Sequence, residues 1–165
     1  MNIISVIKII NRLKQRRKIK NYAIFGAVGA SFYMPAIHTR DIDIIVTAPT
    51  DIEYSKIWRE LRKYADRVLD FGFVIDGTPV QILPTSIGPL FEDALQKANK
   101  ITTGGIVIRV VDKEHLILLF LKANRQKDRQ KASILLQQAD MSYLGYLLEM
   151  YDKDEEIKKK IQSLY

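Results

Sequence analysis

The chain has 165 residues, 47% of them hydrophobic and 27% charged, with a net charge of +7. That is the size of one domain, or of one domain with a small appendage, and an ordinary balance for a soluble globular chain. The lack of cysteine excludes disulfides and thiolate metal sites, two histidines are too few for a His-rich metal site, and no apolar run is long enough to span a bilayer.

Residues 1–20 begin apolar and end basic, the reverse of a secretory signal, so a cytoplasmic protein with no membrane partner is the expectation. The spacing of Ile3, Ile4, Ile7, Ile10 and Leu13 predicts an amphipathic helix over 2–18. Residues 1–40 hold Lys8, Arg12, Lys14, Arg16, Arg17, Lys18, Lys20 and Arg40 and no acid. Such asymmetry favours a polyanionic partner, nucleic acid or nucleotide phosphate; a solvated helix face is the plain alternative.

A short apolar strand, Tyr22–Phe25, runs into the small-residue turn Gly26-Ala27-Val28-Gly29-Ala30-Ser31. A short helix over 27–33 follows and ends at Pro35. Residues 41–47 form the next strand, which opens Asp41-Ile42-Asp43-Ile44. Side chains alternate across a strand, so Asp41 and Asp43 share a face while Ile42 and Ile44 turn into the core. Two adjacent carboxylates repel, and a divalent cation is their natural partner: Mg²⁺ takes one or two carboxylates and completes its shell with water and phosphate oxygens. Arg40 is next in sequence but points to the other side.

Thr50 and Glu53 form a capping box for a helix reaching about residue 64. Two β-rich runs, 68–75 and 78–83, flank Asp76-Gly77, a hairpin signal. A helix over 86–98, a short strand at 101–102 and a buried-type strand at 106–111 follow. From Asp112 the chain reads as helical: 113–123, 126–138, 142–151 and 154–164. A second basic cluster, Lys122, Arg125, Lys127, Arg129 and Lys131, is relieved only by Asp128. The expected organisation is α+β: a core over 1–111 with a basic N-terminal helix, and a helical segment over 112–165 packed on it as one compact unit.

These residues resemble the nucleotidyltransferase superfamily, the fold shared with DNA polymerase β. Its signature is a small turn after a strand, hG[GS], then a Dh[DE]h strand. Phe25-Gly26-Ala27 and Asp41-Ile42-Asp43-Ile44 stand in those places. The run LKANRQKDRQKASILL, 121–136, and the phrase PVQILP, 79–84, resemble the toxin half of AbiE-type abortive-infection systems and related small nucleotidyltransferases. The resemblance implies a nucleotidyltransferase fold, a small mixed sheet flanked by helices and followed by a helical tail. It implies Mg²⁺ or Mn²⁺ held by Asp41 and Asp43, and a nucleoside triphosphate as substrate. Asp41, Asp43 and Lys122 would be catalytic; Gly26, Ala27, Arg40, Gln81, Arg125, Lys127 and Asp128 would bind the nucleotide. The acceptor would be a hydroxyl of RNA, a protein or a small molecule, with RNA reached through the basic N-terminal helix. A cognate antitoxin or other partner protein, in a toxin–antitoxin or phage-defence setting, is also implied.

Two positions depart from the pattern. Ala27 replaces the second small residue, so a serine hydroxyl is missing. Gln81, in Val80-Gln81-Ile82, replaces the third carboxylate, which in the general scheme deprotonates the attacking hydroxyl. An amide is a poor metal ligand beside a carboxylate. The alternative reading is therefore a catalytically degenerate nucleotide- or nucleic-acid-binding module.

Overall fold

The computed structural model describes residues 2–35 and 38–164. Helix α1 (Ile3–Gln15) starts at Asn2, whose side chain accepts the Ser5 N–H, and ends before the predicted residue 18 because Arg17 turns left-handed, with φ 57°. Strand β1 (Tyr22–Phe25) leads directly into α2 (Gly26–Ala30), one turn long rather than the predicted 27–33. Strand β2 (Ile42–Val46) and helix α3 (Asp51–Arg62) follow, the latter capped by Thr50.

The β-rich run 68–75 is not one strand. It breaks at Asp70-Phe71 into β3 (Arg67–Leu69) and β4 (Gly72–Ile75), which pair antiparallel. Gly72 permits this fold-back: a Cβ there would sit 1.9 Å from the Val80 carbonyl oxygen on β5 (Thr78–Pro84). The Asp76-Gly77 turn joins β4 to β5 as predicted, both residues with positive φ. A 3-10 turn (Thr85–Ile87) precedes α4 (Pro89–Lys97). Strand β6 (Asn99–Thr103) is longer than predicted and pairs with β7 (Ile106–Val110). Helices α5 (Lys113–Ala123), α6 (Gln126–Leu136), α7 (Met141–Tyr151) and α8 (Glu156–Gln162) complete the chain. Among the described residues, no helix is long and apolar enough to cross a membrane.

The seven strands form one sheet in the order β3-β4-β5-β2-β1-β7-β6. It is mixed: β1 runs antiparallel to β2 but parallel to β7, and β2 runs parallel to β5. Strand alternation sorts the two faces. Ile42, Ile44 and Val46 of β2 join Ile24, Val80 and Ile82 in a core closed by Ile7, Ile10 and Leu13 of α1 and Ile57 and Leu61 of α3. Ile45 joins Ala23 in a second core with α4 and the helices from α5 onward. Asp43 belongs to that second face, where α5 and α6 arrive.

Candidate active site

The site is built around the end of β1. Gly26 has φ +62°, a left-handed value that glycine adopts without strain. A Cβ on Gly26 would lie 2.0 Å from Asp43 Oδ2. The turn therefore brings bare backbone against the carboxylate of the neighbouring strand. The register explains the contact: Phe25 stands opposite Asp43 on β2, and Asp43 stands opposite Gln81 on β5. Gln81 thus occupies the strand position beside Asp43 that the sequence pattern reserves for a third acid.

Gly26, Asp43, Gln81, Lys122 and Arg125 line one cavity of about 330 Å³. Its remaining wall is apolar, with Phe25 edge-on to Phe91 at 6.3 Å and Leu119 and Phe120 from α5. Lys122 closes the last turn of α5, and Arg125 follows at the N-cap of α6 after Asn124 ends α5 in a left-handed conformation, φ 55°. This tight α5–α6 corner places both cations over the β1 turn.

Asp128 has a different place from the one expected for a nucleotide contact. It is fully buried. One oxygen accepts from Arg125 Nε, and the other accepts from Lys131 Nζ at 3.1 Å. Lys131 is itself buried and lies 5.1 Å from the centre of the Phe120 ring. The carboxylate orients the cations from behind and presents neither oxygen to a ligand. Lys127 and Ala27 line a second cavity of about 290 Å³ with His38, Thr39 and Lys131, on the other side of this ion-pair group. Arg40 is exposed and lines neither cavity. Ser31 donates its hydroxyl to the Val28 carbonyl at 2.7 Å, so it serves its own turn. With one turn only, α2 provides little of the helix dipole that the sequence suggested.

Asp41 is fixed by Thr39, whose hydroxyl donates to Asp41 Oδ1 at 2.8 Å. Burial first, and then the Asp41 charge beside it, push the Asp43 carboxyl up to about 6; Arg125 and Lys131 pull the other way. The charged form of Asp43 is thus disfavoured, chiefly by burial. Among the described residues no group of three His, Asp or Glu side chains could hold a metal ion. Two carboxylates suit a hard divalent ion that keeps water and phosphate oxygens in its shell, and do not suit a cage made of protein alone.

Sequence reading missed Thr39 and Lys131. The signal for Lys131 was its spacing of three from Asp128, which read as an ordinary helix-surface pair. Trp58 packs half-buried against the core, tilted against Phe73 at 4.3 Å, and lines a further cavity with Tyr54 and Phe71.

No protein-family model matches the chain, and no curated protein matches it. Solved structures do. The solution structure of the antibiotic-resistance factor ANT(2″)-Ia is 11% identical, covers 98% of this chain and 97% of its own, and superposes with a TM-score of 0.59. The crystal structure of ANT(2″)-Ia in complex with adenylyl-2″-tobramycin is 13% identical over 93% of this chain and 99% of its own, again with a TM-score of 0.59. This fold is the nucleotidyltransferase fold. An antigenic nucleotidyltransferase-like protein from Paracoccidioides brasiliensis shares it, at 14% identity over 93% of this chain and 91% of its own, with a TM-score of 0.55.

Proposed function

We propose that the chain is a nucleotidyltransferase that uses Mg²⁺ or Mn²⁺ and transfers a nucleotidyl group from a nucleoside triphosphate to a hydroxyl acceptor. The observation that carries this reading is the convergence of Gly26, Asp43, Lys122 and Arg125 on one cavity, from four separate elements. Lys122 and Arg125 hold the triphosphate by charge-assisted hydrogen bonds. Gly26 keeps side-chain atoms out of the space between β1 and Asp43, so the phosphates approach bare backbone. Phe25, Phe91 and Leu119 give the base and ribose an apolar wall. Asp41 and Asp43 hold the divalent ion, which supplies charge neutralisation and orientation of the phosphate oxygens. In the transfer, the acceptor oxygen bonds to the α-phosphorus and gives up its proton to solvent water, the bond from that phosphorus to the bridging oxygen breaks, and pyrophosphate leaves.

Gln81 orients the acceptor hydroxyl through its amide oxygen but does not take its proton. Slow turnover follows. The experiment is calorimetry with a non-hydrolysable triphosphate and Mg²⁺, paired with label transfer from each triphosphate to RNA and protein pools, in wild type and Gln81→Asp. Transfer in the wild type, raised tenfold or more in Gln81→Asp, supports the enzyme. Absence of triphosphate binding overturns the reading.

A second reading rests on Gln81 alone: a catalytically degenerate nucleotide-binding module. Triphosphate binding with no transfer in either form supports it. The segment 121–136, which forms the α5–α6 corner over the site, further supports a place beside the AbiE-type toxin-like nucleotidyltransferases, and with it a toxin–antitoxin or phage-defence role with a partner protein.

A further inference from the structure

We infer that the trough on the far side of Gln81, walled by Phe71, Trp58 and Tyr54, is the acceptor subsite, and that it takes the terminal nucleoside of an RNA strand. The inference rests on the nucleotidyl-transfer reading above.

Three hollows join at shared residues. A cavity of about 410 Å³ lies between Tyr54, Trp58 and Phe71, with Asp70 at its rim. A second, of about 480 Å³, lies between Arg67, Asp70, Phe71 and Gln81. Asp70 and Phe71 belong to both. Gln81 belongs to the second and to the cavity that holds Asp43, and Leu83 belongs to the first and to that same cavity. Phe71 and Asp70 thus border both hollows, and Gln81 and Leu83 stand between them and the cavity that holds Asp43.

This arrangement exists because β4 is short. Its pairing with β5 runs from Ile75↔Thr78 to Gly72↔Gln81 and stops there, so residues 82–84 of β5 have no β4 neighbour. Tyr54 covers part of this edge by donating its hydroxyl to the Ile82 carbonyl at 2.7 Å, which also fixes the Tyr54 ring. Phe71 sits at the tip of the β3–β4 turn and is 75% exposed. A single exposed phenylalanine is ordinary. One that lines a single hollow with Trp58 and Tyr54 offers a surface on which a base can stack.

The chemistry of the walls selects the occupant. Flat aromatic faces stack nucleobases of any sequence. The Arg67 guanidinium pairs with a backbone phosphate, and the Asp70 carboxylate accepts from ribose hydroxyls. A polycationic acceptor such as an amino sugar would gain Asp70 but meet Arg67 as a like charge. The net charge of +7 favours the polyanion.

The test is fluorescence anisotropy with a short single-stranded RNA, run without nucleotide, on wild type, Phe71→Ala, Phe71→Trp and Arg67→Ala. Triphosphate binding is measured in parallel by calorimetry. Phe71→Ala weakens RNA binding about tenfold, the loss of one stacked base. Phe71→Trp retains the affinity, Arg67→Ala reduces it with a shallower salt dependence, and all three bind triphosphate as wild type does. RNA binding that is undetectable in wild type, or unchanged in Phe71→Ala, overturns the inference, as does efficient competition by an amino sugar. Failure of the parent reading looks different: triphosphate binding is absent while the Phe71 effect on RNA persists.

Discussion

A methyl group on Gly26 would stand 2.0 Å from Oδ2 of Asp43, inside any permissible contact distance. The turn after β1 and the Asp43 carboxylate are therefore packed as one object, and neither is adjustable without the other. Gly26→Ala combines this collision with a left-handed φ of +62° that alanine disfavours. The expected cost is about 1–3 kcal/mol of stability. Triphosphate binding falls with it, because Asp43 must move away from β1. Denaturant titration and calorimetry on the same samples check both outcomes.

Asp43→Asn separates stability from function. The folded-state pKa, about 6, lies above the ordinary aspartate value of 3.8. The folded protein therefore holds that proton more tightly than the unfolded chain does. The resulting stability is present below about pH 4 and is lost as pH rises through about 6. Above pH 6 the charged carboxylate burdens the fold by on the order of 2–3 kcal/mol. Asparagine removes that burden, so Asp43→Asn has the higher melting temperature at pH 8, by about 5 °C, and little advantage at pH 4. Mg²⁺ binding by the wild type strengthens from pH 5 to pH 7 as the ion displaces the proton. The same substitution abolishes it.

Asp128 and Arg125 are hydrogen-bonded partners, yet their substitutions diverge. Asp128 is fully buried and also serves the buried Lys131. Asp128→Ala leaves that ammonium without its counter-ion and costs about 3–5 kcal/mol. The Arg125 side chain is 63% exposed, so Arg125→Ala costs well under about 1 kcal/mol. Its effect falls on triphosphate affinity, reduced about tenfold for one lost charge-assisted contact. Chemical unfolding paired with nucleotide titration distinguishes the two.

His115 is a second buried charge, remote from chemistry. Its ring is fully buried; Nδ1 contacts both Asp112 oxygens at 2.9 Å and Nε2 contacts Asp93 at 3.0 Å. Burial pulls its pKa down, but the hydrogen bonds and charges of Asp112 and Asp93 outweigh it, and the net shift is upward. This stability is fully present below pH 6.5 and is lost as pH rises through the higher folded-state pKa. His115→Gln therefore lowers the melting temperature most at pH 6 and less at pH 9. At pH 6 the loss is about 3 kcal/mol, since two acids are left facing each other.

How much of this was legible in the chain differs from residue to residue. The alternation in Ile42-Asp43-Ile44 made Asp43 legible as a residue of the face opposite Ile42 and Ile44, whereas Asp41 lies just before β2 and is held by the Thr39 hydroxyl. The position of Gln81 was also legible, since parallel pairing of β2 with β5 keeps equivalent positions side by side. The break at Asp70-Phe71 was not. Residues 68–75 alternate well enough for one strand, and only the antiparallel pairing of Arg67–Leu69 with Gly72–Val74 shows that the chain doubles back. The burial of Asp128 was hidden for a related reason: helical spacing reports which residues are neighbours, not whether another layer covers them. An exposed Phe71 is equally invisible, because exposure is decided by where β4 ends.

The α5–α6 corner has a consequence for how the protein is made. Asp41 and Asp43 leave the ribosome long before Lys122, Arg125 and Lys131, and β1 waits for its parallel neighbour β7 through the same interval. A nascent or prematurely terminated chain thus has the acids without the cations that balance them, and a central strand with one side open. Such a product is aggregation-prone, so the site is assembled only once α5 and α6 have been made, and the α/β layer depends on the two helices that follow it.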